Sequence, residues 1–154
     1  MQMSKTHNYP VTVNWKGGRD GSGTVKGDRS GIQSALSVPE EFGGPGGAGT
    51  NPEELLCEAI AACYSITFGI IAANRKLSLV NIETKAEGIV EEAGAQINYK
   101  QVIIRPTITL SADAPAEQDA MAEDMAHKAD AYCIITNAVR GKVEITVEPT
   151  IARA

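Results

Sequence analysis

The residues of this 154-residue chain whose types and spacing can do chemistry are three cysteines, Cys57, Cys63 and Cys133, together with Arg19 and Glu53. Most cysteines in apolar surroundings are inert packing residues, because desolvation raises the thiol pKa and leaves little thiolate to act as a nucleophile. Cys63 has Ala61, Ala62 and Tyr64 around it, so it needs a cation before it can react. Arg19 can supply that cation, and Glu53 can hold the guanidinium through the bidentate geometry arginine favours. A thiolate that attacks a peroxide becomes a sulfenic acid, and a second thiol must condense with it before over-oxidation. Cys57 lies about 9 Å from Cys63 along a helix axis and on its far side, beyond disulfide reach without unwinding. Cys133 begins a terminal segment that the fold can bring close. Cys57 is accordingly read as structural.

Two of these cysteines belong to the stretch that organises the chain, a glycine-rich loop emptying into a long apolar helix over residues 42–74. Asn51 is a good N-cap, Pro52 suits the first helical position and Glu54 stands where a capping-box acid belongs. Over residues 55–73 the only side chains that are neither apolar nor glycine are Glu58, Ser65 and Thr67. Such a helix should be buried on most faces. It approaches the length of a membrane span, but Glu58 interrupts it, alanine supplies much of it and no basic flank accompanies it. A core helix is expected. Glu53 and Cys63 on one continuous helix are about 15 Å apart in rise, so a Glu53 that serves Cys63 must come from a partner chain.

Around this helix the apolar pattern has the period of strands. Residues 9–16 alternate, the 17–23 segment GGRDGSG is a hairpin signal, a second strand follows through Val25, and residues 31–38 complete a meander. After the helix, residues 79–90 and 97–110 read as two long antiparallel strands. Pro106 suggests an edge position or a bulge in the second. Pro115 opens an amphipathic helix to about Asp130 with Met121, Met125, Ala129 and Tyr132 near one face. CIITNAVRG, residues 133–141, reads as one or two helical turns, and residues 142–147 as a last strand. This order is α+β: antiparallel sheets wrapped around a long buried central helix. A helix so apolar needs more cover than one sheet offers, which points to an intertwined homodimer.

The remaining composition narrows the function. Net charge is −5, from 14 basic and 19 acidic side chains without a basic run, which argues against nucleic acid and an anionic membrane surface as partners. The N-terminal segment is short and polar, so a cytoplasmic location is expected. Three cysteines are too few for a disulfide scaffold. Neither C-x-x-C nor H-E-x-x-H occurs, and His7 and His127 lie far from the cysteines in sequence, so no metal and no cofactor are expected. The whole of residues 1–154 is read as one domain.

At these residues the chain resembles the OsmC/Ohr family of thiol-dependent hydroperoxide reductases. The resemblance is carried by GGRDG at 17–21, GGAGTNPEELL at 46–56, AAC at 61–63 and NAVRGKVEITV at 137–147. It implies that Cys63 is the peroxidatic cysteine and Cys133 the resolving one, with Arg19 and Glu53 setting up the thiolate. It also implies an intertwined α+β dimer with sites at the interface, an organic hydroperoxide as substrate, and a dithiol reductant such as a lipoyl protein or thioredoxin. The family commonly has proline directly after the resolving cysteine, whereas Ile134 follows Cys133 here. Cys57 has no counterpart role. Two rival readings are a module that binds an apolar small molecule and a structural stress protein, each with non-catalytic buried cysteines.

Overall fold

The computed structural model describes residues 2–154, which divide into two compact units, the first ending at Pro52 and the second running Glu53–Ala154. In the first unit β1 (Val11–Lys16), β2 (Ser22–Gly27) and β3 (Gln33–Leu36) form the expected antiparallel meander. Gly17, at φ +98°, and the Gly21 N–H bond to the Gly18 carbonyl make the first turn. Among the described residues of this unit only Ser37 is buried; Val11, Val13 and Trp15 stand 59%, 55% and 42% exposed. The described residues give its sheet no core of its own.

The second unit is built on α1 (Pro52–Asn74), which starts at the proline that suits a first helical position and runs unbroken for 23 residues. Ile60, Tyr64, Phe68 and Ala72 form an i, i+4 stripe that is buried against the sheet and the next helix. Truncating a buried aromatic such as Phe68 to alanine would cost about 3–5 kcal/mol. Two polar contacts fix the rotation of α1. The Tyr64 hydroxyl donates to the Ala126 carbonyl at 2.7 Å, and Ser65 Oγ donates to Thr84 Oγ1 at 2.6 Å. The expected burial on most faces does not occur: the stripe Ala62, Ile66, Ile70 is exposed, with Ile66 and Ile70 at 64% and 58%. Among the described residues α1 is the one helix long and apolar enough to cross a membrane.

The hairpin β4 (Leu79–Ala93) and β5 (Gln96–Leu110) turns at Gly94, φ +64°, so its strands run further than the apolar alternation alone indicates. Along β5 the alternate residues Val102, Ile104, Pro106, Ile108 and Leu110 face the core. Over them packs α2 (Glu117–Tyr132), through Ala122, Met125, Ala126 and Ala129. Tyr132 departs from the expected face and is 65% exposed. The short α3 (Ile134–Val139) follows directly.

Two expectations about this sheet are corrected. The sheets are antiparallel except at β6 (Glu144–Val147) and β7 (Thr150–Arg153), which both pair parallel to β5. The chain leaves β5 through two helices, and such a crossover returns it in the same direction. Pro106 lies neither on an edge nor at a bulge. It pairs with Thr84 on one side, and on the other it falls between the β6 pairing, which ends at Ile104, and the β7 pairing, which begins at Thr107. No ladder donor is needed from it there.

Candidate active site

Cys63 sits in mid-α1, one residue before the buried Tyr64, so the packing that seats Tyr64 also sets the direction of the thiol. Cys133 stands at the junction of α2 and α3, fully buried, where the chain turns extended at φ −71°, ψ 113°. Its sulfur caps α3 by accepting from the Thr136 N–H at 3.4 Å. The fold brings these two cysteines close enough for each to influence the other's titration. Burial pushes the Cys63 thiol up, but hydrogen bonds from the Cys133 thiol, the Ile135 backbone, the Thr67 hydroxyl and the Ile134 backbone outweigh it and hold the pKa below the usual thiol value. Cys63 Sγ and Thr67 Oγ1 are 3.9 Å apart. Burial, followed by the hydrogen bond to Cys63, raises the Cys133 pKa. One thiol of the pair is thus biased toward the thiolate and its neighbour toward the protonated form.

Cys57 is placed differently. Burial raises its pKa over the opposing hydrogen bonds from the Tyr99 hydroxyl and the Gly88 backbone, and Glu58 and Glu54 raise it further. Tyr99 donates to the Glu53 carbonyl at 3.0 Å and is itself pushed up to about 12, by burial first and then by Cys57. A side chain at position 88 would collide with the Tyr99 hydroxyl, so this contact requires a glycine. Tyr99 and Gly88 carry no signal in the sequence, because only the β4–β5 register places them beneath the first turn of α1. Thr67, by contrast, is legible as the residue one turn after Cys63.

Glu53 lies in the first turn of α1, ten residues from Cys63 on the unbroken helix, and its Oε2 is buried without a hydrogen-bond partner among the described residues. Arg19 lies in the β1–β2 turn of the first unit, its stem against Gly43, where a Cβ would approach Arg19 Cδ to 2.9 Å. His127 is exposed on α2. Among the described residues no group of three His, Cys, Asp or Glu side chains is arranged to hold a metal.

Residues 44–148 match the family described as OsmC-like protein. The chain belongs to this family. The matched span contains Glu53, Cys63 and Cys133, while Arg19 precedes it. The chain is similar to the uncharacterized protein YmaD of Bacillus subtilis, at 34% identity over 94% of this chain and 95% of that protein. It is also similar to the organic hydroperoxide resistance protein of Xanthomonas axonopodis pv. citri, at 33% identity over 90% of this chain and 92% of that protein. The crystal structure of an organic hydroperoxide resistance protein OsmC from Legionella pneumophila matches with a TM-score of 0.74 at 27% identity, covering 94% of this chain and 99% of that one. The OsmC-like fold, a mixed α+β arrangement with a long central helix, is shared with that structure. Ile134, which follows Cys133, carries a backbone N–H that a proline would lack, and its backbone is among the influences that lower the Cys63 pKa.

Proposed function

We propose that this OsmC-like protein is a cysteine-based peroxidase that reduces organic hydroperoxides to alcohols, with residues 1–154 acting as one functional domain. The observation that carries the reading is the pairing of Cys63 with Cys133, which the fold brings within each other's influence so that the Cys63 pKa is lowered and the Cys133 pKa raised. The Cys63 thiolate attacks the distal peroxide oxygen, the O–O bond breaks, and the alkoxide leaves to be protonated to the alcohol. Arg19 stabilises the thiolate and the departing alkoxide, and Glu53 orients Arg19. Cys133 then attacks the Cys63 sulfenic acid, forming the disulfide and releasing water. A dithiol, such as a lipoyl protein or a thioredoxin-like protein, reduces the disulfide by exchange.

The exposed apolar side chains of Tyr132 and Ile134 flank Cys133 and favour a substrate with an organic part, since apolar burial contributes about 25 cal/mol per Å². The open stripe Ala62, Ile66, Ile70 on α1 and the coreless first unit support a homodimer. Glu53 reaching Cys63 from the partner chain then makes each site composite. Nothing in the chemistry needs an exporting or membrane environment, and the reading is of a cytoplasmic enzyme.

The test is one stoichiometric dose of cumene hydroperoxide followed by thiol counting and non-reducing peptide mapping. Loss of two of the three thiols per chain as a Cys63–Cys133 disulfide is expected. Retention of all three thiols would leave a binding or structural protein of the same fold, and a disulfide that includes Cys57 would overturn the assignment of roles.

A further inference from the structure

The Thr136 hydroxyl is fully buried and has no hydrogen-bond partner among the described residues. A buried, unsatisfied hydroxyl is a standing cost to the fold, and native chains keep few of them without a use. Its position is specific. The backbone N–H of the same residue donates to Cys133 Sγ at 3.4 Å, so the hydroxyl is carried by the residue that already holds the resolving sulfur. Burial raises the Cys133 pKa, which favours the protonated thiol in the resting protein. The hydroxyl therefore has no anion to bond until the proton leaves.

We propose that Thr136 is a further residue of the peroxidase, whose hydroxyl turns to donate to Cys133 Sγ as the thiol deprotonates during resolution. This rests on the peroxidase reading above. In the step concerned the Cys133 S–H bond breaks, the Cys133 sulfur attacks the sulfur of the Cys63 sulfenic acid, the S–S bond forms and the S–O bond breaks. The thiol proton leaves with the hydroxide as water, so Cys133 is oxidised and the sulfenic sulfur reduced. Between loss of the proton and completion of the S–S bond the Cys133 sulfur carries negative charge. Thr136 N–H and Oγ1–H together stabilise that charge from one residue, and the rotation of a single hydroxyl makes the contact available only when it is needed. The Thr136 side chain already bears on Cys133 as an influence that favours its ionised form.

The experiment is a single turnover with one equivalent of cumene hydroperoxide on the wild type, Thr136→Val and Thr136→Ser, timing the dimedone-trapped Cys63 sulfenic acid against the disulfide by mass spectrometry. Thr136→Val keeps the shape without the hydroxyl. It is expected to slow disulfide formation relative to sulfenic acid formation roughly tenfold or more, the worth of a hydrogen bond to a charged group. Thr136→Ser restores the wild-type ratio. The valine protein melts at or above the wild-type temperature, because it loses an unpartnered polar atom. Disulfide formation at the wild-type ratio in Thr136→Val would overturn the inference, as would equal slowing in both variants with a lowered melting temperature, which marks a structural role. Should Thr136→Val not fold, Thr136→Ala is read against Thr136→Ser in the same way. Failure of the peroxidase reading is separately visible: Cys133→Ser would then yield no Cys63 sulfenic acid at all.

Discussion

Cys57 and Cys63 share one helix and both pay for burial, yet their thiols are driven in opposite directions. The difference lies in what faces each sulfur. The influences of Cys133, Ile135, Thr67 and Ile134 lower the Cys63 pKa against its burial, and three of these residues belong to the α2–α3 junction. At Cys57 the influences of Tyr99 and Gly88 are outweighed by burial, with the acidic residues Glu58 and Glu54 of its own helix acting in the same direction as burial. The direction in which each thiol is driven therefore follows largely from the element that packs against its turn, with the acidic neighbours of Cys57 adding to the contrast. The β4–β5 hairpin sets Tyr99 and Gly88 against Cys57, whereas the α2–α3 junction sets backbone groups and a second thiol against Cys63.

The largest effect that could break this contrast comes from removing the thiols one at a time. Cys63→Ser is expected to abolish peroxide turnover. Cys133→Ser should react once and then stall or over-oxidise, while Cys57→Ser keeps multiple turnovers with a dithiol reductant. Steady-state assays with cumene hydroperoxide decide among them, and an inactive, well-folded Cys57→Ser would erase the distinction.

The second effect concerns Glu53, which lies one turn from Cys57 but is assigned to a Cys63. Mixing Cys63→Ser subunits with Glu53→Ala subunits under exchange conditions gives a mixed dimer with one site lacking both groups and one site intact. Activity should rise above that of either parent. No recovery despite proven exchange would remove Glu53 from the partner's site.

These two effects also mark what could be read in advance. The meander, the apolar helix from Pro52, the long hairpin and both later helices are legible because amphipathic period and capping chemistry are local. The parallel pairing of β6 and β7, and the switch between them that accommodates Pro106, depend on how the α2–α3 crossover returns the chain, which no local pattern records. At the site, Cys63 and Cys133 are visible as residue types and as parts of motifs. The groups that separate Cys63 from Cys57 include backbone groups of the α2–α3 junction and a tyrosine of β5, and these become identifiable only once the elements are packed.

A smaller effect is expected from Ile134→Pro. Position 134 opens α3, where proline is tolerated, so the substitution removes one backbone donor from Cys63 with little structural cost. The pH midpoint for Cys63 alkylation should rise and the peroxide step should slow by less than roughly tenfold, as fits one hydrogen bond. An unchanged midpoint would show that the Ile134 N–H contributes nothing. The smallest effect is on stability. The raised pKa of folded Cys57 favours the folded state fully below the unfolded thiol value of about 8.5, and that contribution is lost as pH rises through the folded value. Denaturant midpoints should therefore fall less steeply with alkaline pH in Cys57→Ser than in the wild type; equal slopes would contradict the burial assigned to Cys57.

The most direct test of the contrast is pH-resolved alkylation of the reduced wild-type protein, with the modification of Cys57 and Cys63 quantified by peptide mass spectrometry. The account predicts that Cys63 is modified with a midpoint below the ordinary thiol value while Cys57 in the same molecules stays unmodified until well above it. Coincident midpoints, or Cys57 reacting at the lower pH, would contradict the claim that the packing of this helix makes one of its two thiols reactive and the other inert.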